Sequence, residues 1–312
     1  MRRAFSNTLL RMIESDERVI FLTGDLGFGV FDDLISKYPK RYINVGVAEA
    51  QLVNCAAGLA LEGWRPIVYS IASFMTGRAF EQIRVPIGYH RLPVIVVGAG
   101  GGYTYATSGV THHAREDFAL MSLIPGMAVV APGDPREVEQ LLPQLLEHNG
   151  PSYIRIGRFG EPTFESESPI KLGRGRVVRE GRQIAVLTTS GSVVQAVDAW
   201  KVLASEGHAP IVCHFHTLVP FDVECFDAVA ERVDTIIVVE DHAPQGGLEA
   251  AVARRLALTG RSRNLIRLGP GDDMVLGNPS QEQLRRELRY DSQGIFNACK
   301  QALIGESQLV RR

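Results

Sequence analysis

The sequence predicts an α/β fold of two doubly wound domains, on three observations. Short continuous apolar runs recur along the chain, helix-length amphipathic stretches separate them, and the alternation breaks once, near residue 165, before it resumes. Apolar strands without polar alternation are buried on both faces, which is the mark of a parallel sheet covered by helices on each side. In the first half, Val19-Ile20-Phe21-Leu22, Pro66-Ile67-Val68-Tyr69, Pro93-Val94-Ile95-Val96-Val97 and Met127-Ala128-Val129-Val130 read as strands. Residues 49–62, 74–88 and 135–148 read as helices between or beside them. The polar stretch Phe159 to Leu172, with Gly160, Pro162 and Pro169 and little periodicity, reads as a linker. Beyond it Ile184-Ala185-Val186-Leu187, Ile211-Val212-Cys213-His214 and Thr235 to Val239 read as strands, and 192–206, 223–232 and 247–258 as helices. This is a second, smaller α/β domain.

Composition narrows the function classes. A chain of 312 residues suits two domains better than one core. Hydrophobic residues at 45% and charged residues at 22% give the balance of a soluble globular protein. A net charge of -2 offers no basic surface for nucleic acid. No apolar run reaches the roughly 18 residues of a membrane span. The start, Met1-Arg2-Arg3-Ala4-Phe5, lacks the apolar stretch of a signal peptide and runs into a helical pattern. Cys55, Cys213, Cys225 and Cys299 are scattered without a CxxC pair. That argues against a disulfide framework or a zinc site and fits a reducing cytoplasm.

Four segments carry residues suited to chemistry. In Asn44-Val45-Gly46-Val47-Ala48-Glu49-Ala50, a carboxylate opens a mostly apolar helix. Glu49 reads either as a helix-start acid favoured by the macrodipole or as a partly buried carboxylate able to share a proton with a ligand nitrogen. The second segment runs from Gly98-Ala99-Gly100-Gly101-Gly102-Tyr103-Thr104-Tyr105 to Ser108-Gly109-Val110-Thr111-His112-His113. Glycines directly after a strand let a loop turn sharply and approach a ligand, and loops at the carboxyl ends of parallel strands are the usual ligand sites. No G-x-G-x-x-G opens a helix here, so a dinucleotide fingerprint is excluded. Adjacent histidines rarely point the same way, and no acid or cysteine keeps zinc spacing nearby, so no metal is assigned to them. A histidine that shuttles a proton or donates a hydrogen bond fits better. The third segment, Gly24-Asp25-Leu26-Gly27-Phe28-Gly29, is a turn-rich loop after the first strand that also reads as a plain strand–helix connection. In the fourth, Ser73-Phe74-Met75, the Phe74 ring is either core or a face for a flat ligand.

Taken together these segments resemble the C-terminal half of the transketolase family, which includes deoxyxylulose-phosphate synthases and the beta subunits of 2-oxoacid dehydrogenases. The resemblance covers nearly the whole chain, from about residue 3 to about residue 303. It rests on an ordered set: Gly24-Asp25-Leu26, Val45-Gly46-Val47-Ala48-Glu49, Gly109-Val110-Thr111-His112, Val130-Ala131-Pro132-Gly133-Asp134 and Gly150-Pro151-Ser152. Val239-Glu240-Asp241-His242, with Gly246-Gly247-Leu248, resembles the family's E-x-H…GGL element. The resemblance implies a thiamine-diphosphate pyrimidine-binding domain over 1–165 and a transketolase C-terminal domain over 173–312. It implies that Glu49 bonds N1′ of the aminopyrimidine, that Phe74 stacks on that ring, and that Phe80 adds a second aromatic to the same wall. It places Asp25 and Leu26 on the thiazolium side, His112 and His113 beside the substrate, and Arg158 on a sugar phosphate. Glu49 and His112 are thereby the expected catalytic pair in the transfer of a two-carbon ketol unit from a ketose to an aldose.

Full-length transketolases carry an earlier domain whose GDG…N motif binds the diphosphate through Mg2+ or another divalent metal. Neither Gly133-Asp134-Pro135 nor Gly271-Asp272-Asp273 completes that motif. The resemblance therefore implies a separate diphosphate-binding subunit and an α2β2 assembly. On the substrate side the chain departs from the family. Ser108 stands where an aspartate precedes the histidine, Gly100 where His or Asp is usual, His113 for the following Gln, and Gly29 for a phosphate-touching serine. These departures point to a modified or specialised sugar. Two other readings stay open: the beta subunit of a 2-oxoacid dehydrogenase, and a non-catalytic regulatory subunit.

Overall fold

The computed structural model describes residues 1–158 and 160–309, with side chains given through residue 304. Among the described residues twelve strands form two sheets. They are β1 (Val19–Thr23), β2 (Tyr42–Asn44), β3 (Arg65–Ile71), β4 (Ile95–Ala99), β5 (Ala128–Val130), β6 (Ser152–Ile156), β7 (Arg176–Arg179), β8 (Gln183–Thr188), β9 (Ile211–His214), β10 (Thr217–Val219), β11 (Val233–Val239) and β12 (Asn264–Leu268). The first sheet has the order β10-β5-β6-β4-β3-β1-β2 and the second β12-β11-β8-β9-β7. Strands β1 to β6 are mutually parallel, and only β10 and β7 run antiparallel to their neighbours.

Both faces of the first sheet are covered. Residues Val68, Val96 and Val129 face a core with the helices Glu49–Leu61, Ala72–Arg78 and Asp117–Ser122. Their strand neighbours Ile67, Val97 and Val130 face Arg2–Ser15, Asp32–Lys37 and Pro135–Glu147 on the other side. This two-sided burial is why β1 and β4 read as unbroken apolar runs. The first of these cores continues into the second domain through Ala185, Leu187, Cys213, Phe226 and Val252. A third core packs the far face of the second sheet under Ser192–Ser205 and Ser292–Leu309.

The expected elements form, with instructive departures. The helix expected over 74–88 is broken into Ala72–Arg78, a short Phe80–Gln82 turn and a π-type segment, Ile83–Tyr89, that contains Pro86. Proline removes one helical N–H and crowds the carbonyl four residues back, so the widened turn follows from the sequence. Strands β2, β6, β7, β10 and β12 and the helices Asp32–Lys37, Asp117–Ser122, Gln281–Glu287 and Ser292–Leu309 are not among the expected elements. The most central omission is β6, which lies between β5 and β4. Its middle holds Arg155, fully buried and therefore opposite to what a strand core ordinarily holds.

Arg155 is tolerated because the seam between the domains neutralises it. Its guanidinium pairs with Asp117 and, at 2.5 Å, with Asp241, and donates to the Ala114 carbonyl at 2.9 Å. Tyr153 donates to the same Asp117 at 2.6 Å, and the guanidinium lies 3.7 Å over the Phe118 ring. Burial alone would raise the Asp117 carboxyl, but Arg155 outweighs it and holds the group below the usual carboxylate range. The glycine run after β4 serves this seam. A Cβ on Gly101 would lie 2.1 Å from Arg155, and one on Gly102 2.0 Å from Asp241. The close approach expected there is thus made to the protein's own side chains, which corrects the expectation that these glycines let a ligand in.

Candidate active site

Every candidate in the first domain follows the carboxyl end of a parallel strand of one sheet. Asp25 and Leu26 follow β1, Glu49 follows β2, Phe74 follows β3, His112 follows β4 and Arg158 follows β6. Parallel strands end on the same edge, so the topology alone gathers these residues on one rim. The chain also reverses its path across the sheet there, with β2 and β3 on opposite sides of β1. The helix Glu49–Leu61 is the crossover that joins them.

Glu49 is the first residue of that helix and is 4% exposed. The partial positive charge of the helix N-terminus favours a carboxylate there. Its partners are few and distant. Ser70, on β3, donates to Oε1 at 3.4 Å, and Arg78 donates to Oε2 at 3.4 Å. Arg78 stands one turn beyond Phe74 on the same helix face, and its guanidinium carbon lies 3.9 Å over the Phe74 ring centroid. The His112 ring meets Phe74 edge-on, with centroids 4.9 Å apart. Ser73 donates to the Thr111 carbonyl at 3.0 Å and so ties the helix start to the turn that carries His112. Glu49, Arg78, Phe74 and His112 therefore form one contiguous group.

The rim extends from there. The His112 ring lies 6.2 Å from Tyr105, and the Arg158 guanidinium lies 5.4 Å from that tyrosine's ring on an exposed part of the chain. His112 is pushed below the ordinary histidine range by burial first, then by the Arg78 and His113 charges, so it is neutral at neutral pH. Asp25 is exposed with φ +60, a conformation non-glycine residues seldom adopt. Asn44 holds it by donating to its carboxylate at 3.1 Å and accepting from its backbone N–H at 2.9 Å. The same Asn44 oxygen accepts from Gly46, which couples the β1 and β2 loops. Leu26 packs on the core beneath this loop.

Two expected residues lie elsewhere in the arrangement. His113 turns inward, is 4% exposed, bonds the Ala106 carbonyl at 3.3 Å and meets Tyr103 edge-on. Phe80 packs against the core shared with the Glu49 helix and makes no ring contact with Phe74 among the described residues. The sequence singles out neither Arg78 nor Ser70, and it places Tyr105 in the glycine-rich segment without a role. The spacing of Phe74 and Arg78, four apart at a helix start, was the available signal for the first.

The remaining motifs resolve into structure. Asp134 caps Pro135–Glu147 by accepting from the Glu137 N–H at 2.8 Å. Glu240 accepts from the N–H groups of Leu248 and Glu249 at 2.7 and 3.1 Å and so caps Leu248–Thr259. His242 stacks on Phe118 in the seam. Among the described residues no group of three or more His, Cys, Asp or Glu side chains gathers as a metal site. No described helix is long and apolar enough to cross a membrane.

Comparison with known proteins identifies the family of the chain. Residues 1–159 match the pyrimidine binding domain of transketolase, and residues 173–295 match the transketolase C-terminal domain. An apulose-4-phosphate transketolase subunit of Phocaeicola vulgatus is 30% identical, over 97% of this chain and 96% of its own length. The 6-deoxy-6-sulfo-D-fructose transketolase subunit SqwH of a Clostridium species is 34% identical, over 82% of this chain and 80% of its own. A solved structure described as a split gene transketolase, inactive beta4 tetramer, superposes with a TM-score of 0.86 at 30% identity, covering 97% of each chain. The chain belongs to the transketolase family, in the form that carries the pyrimidine-binding and C-terminal domains.

Proposed function

We propose that this chain is the pyrimidine-side subunit of a split, thiamine-diphosphate-dependent transketolase of the cytoplasm, with its site in a 1–165 domain and a 173–312 C-terminal domain beside it. The observation that carries the reading is Glu49: a buried carboxylate linked through Arg78 to the Phe74 ring, held among the described residues by two contacts of 3.4 Å. Such a group has hydrogen-bonding capacity to spare, and a flat nitrogen heterocycle over Phe74 would use it. Thiamine diphosphate, when bound, supplies a stabilised carbon nucleophile for cleaving and forming bonds next to a carbonyl.

The chain's own groups have the following roles in this reading. Glu49 shares a proton with the ring nitrogen, and its burial strengthens that bond by excluding water. Phe74 fixes the plane of the ring, with Phe80 supporting that wall from the core. Asp25 and Leu26 line the thiazolium side. His112, neutral at neutral pH, accepts a proton from a substrate hydroxyl and returns it. Arg158 binds an anionic end of the sugar, and His113 acts from behind His112. The diphosphate and its Mg2+ or other divalent ion are held by a separate subunit, in an α2β2 assembly. Phe28, 80% exposed, and Val47, 72% exposed, stand on the two loops that Asn44 joins beside Glu49 and offer an apolar rim to such a partner.

The substrate is a specialised sugar. This rests on the departures at Ser108, Gly100, His113 and Gly29, and on relatives named for apulose 4-phosphate and 6-deoxy-6-sulfo-D-fructose. The test is reconstitution with a partner bearing the GDG…N motif, followed by ketol-transfer assays with modified and ordinary sugars. Transfer with a modified ketose, lost in Glu49→Gln, is the expected result. Full activity with xylulose 5-phosphate and ribose 5-phosphate would remove the specialised-sugar reading. Decarboxylation of a 2-oxoacid without ketol transfer would overturn the reaction class.

A further inference from the structure

We propose that Arg78 is a self-occluding gate over the Glu49–Phe74 pocket, a side chain that occupies the ring's place until the ring displaces it. The inference deepens the proposed function and rests on its reading of Glu49 and Phe74. Two contacts carry it. The guanidinium lies 3.9 Å over the Phe74 ring, and one of its N–H groups reaches Glu49 Oε2 at 3.4 Å. A guanidinium is planar and carries its N–H donors in its plane. It therefore offers Phe74 a flat face and Glu49 an in-plane donor, which are the two features a protonated aminopyrimidine would offer. The Phe74 face that Arg78 covers cannot hold both groups.

The gate is built to yield. Arg78 ends the helix Ala72–Arg78 and its side chain is 53% exposed, so it can swing into water about its own bonds without moving the backbone. Its hold is weak as well. A cation–π contact at a partly solvated site and a long, half-exposed ion pair together shift an equilibrium by about tenfold. With the open pocket populated about one part in ten, the apparent affinity for a ring falls by that same factor. Covering the site also has a structural use. It gives a buried carboxylate a partner in the absence of ligand, where an unpaired one would be costly.

The experiment measures cofactor binding rather than turnover. The chain is assembled with its diphosphate-binding partner, and thiamine diphosphate with Mg2+ is titrated by calorimetry and followed in stopped flow. Arg78→Ala is expected to bind about tenfold more tightly, with the gain in the association rate. Arg78→Met keeps an apolar cover on Phe74 but loses the Glu49 contact, and is expected to fall between Arg78→Ala and the unmodified chain. Unchanged melting temperatures establish that both variants fold. Equal or weaker binding by Arg78→Ala overturns the gate and leaves the cofactor reading standing. An unmodified complex that takes up no thiamine diphosphate overturns the cofactor reading, and the gate falls with it.

Discussion

Two glutamates invite comparison, because local sequence makes them nearly equivalent. Glu49 and Glu137 each lie in the first turn of a 13-residue helix of the first domain, and both are buried, at 4% and 0% exposure. Their surroundings differ. Glu137 pairs with Arg176, bonds His214 at 3.0 Å and accepts the Gly133 N–H at 2.7 Å. Burial raises its carboxyl, yet His214 and the neighbouring donors outweigh that and hold it down to about 2. Glu49 has two contacts of 3.4 Å, one from a half-exposed arginine. A saturated buried charge is a fastener between domains. One left short of partners at a rim, beside a flat aromatic face, has capacity for something from outside.

The largest expected effect separates them by activity. Glu49→Gln should lower the turnover of the reconstituted enzyme by about 10²–10⁴-fold, the range for a lost acid–base group. It should leave denaturant stability within about 1 kcal/mol, since little bonding is removed. Glu137→Gln should do the reverse, because the buried Arg176 guanidinium loses its counter-charge. A loss of about 3–5 kcal/mol in urea unfolding is expected, with per-molecule activity of the folded fraction largely kept. Equal destabilisation by the two substitutions would erase the distinction.

Acid should act through the seam and the second domain before it reaches the rim. Burial holds His216 and His242 down to about 4. Below 6.5 the unfolded chain takes up protons these residues refuse, so stability is lost as pH falls toward 4. Glu240, pushed up to about 7 by burial, opposes them: its contribution is full below 4.5 and is lost as pH rises through 7. Two histidines against one glutamate leave a net loss on the order of 2 kcal/mol between pH 7 and pH 5. Urea unfolding at the two pH values measures it, and Glu240→Gln should roughly double it. A flat profile would show that these buried groups titrate as they do in the unfolded chain.

The smallest effect sharpens the rim itself. His112 should titrate below the ordinary histidine range in proton NMR, since burial, Arg78 and His113 all disfavour its charge. Removing Arg78 takes away one cation and so raises that value, by a small step at a partly solvated site. No movement would place Arg78 out of electrostatic reach of His112.

The sequence disclosed the rim better than the seam, for a physical reason. Phe74 and His112 follow β3 and β4, whose apolar runs are unmistakable, Glu49 opens a helix legible from its own apolar pattern, and a parallel sheet sends such positions to one edge. Strand β6 escaped because Arg155 interrupts its pattern, and the acids that neutralise it, Asp117 and Asp241, are 38 and 86 residues away. Long-range compensation of that kind leaves no trace in a short window. Arg78 escaped because a helical arginine four residues beyond a phenylalanine is ordinarily a solvated surface pair. Only the buried carboxylate from another strand end gives it meaning.

Strand β10 crosses from the second domain to lie antiparallel on β5, at the outer margin of the first sheet. A fragment cut in the connecting segment before residue 173 would keep the whole rim but lose that last strand. It would present the naked backbone of β5 to any passing chain, and an uncovered margin of this kind promotes aggregation. The pyrimidine-side half is therefore best produced with its companion attached, even when only the rim is of interest.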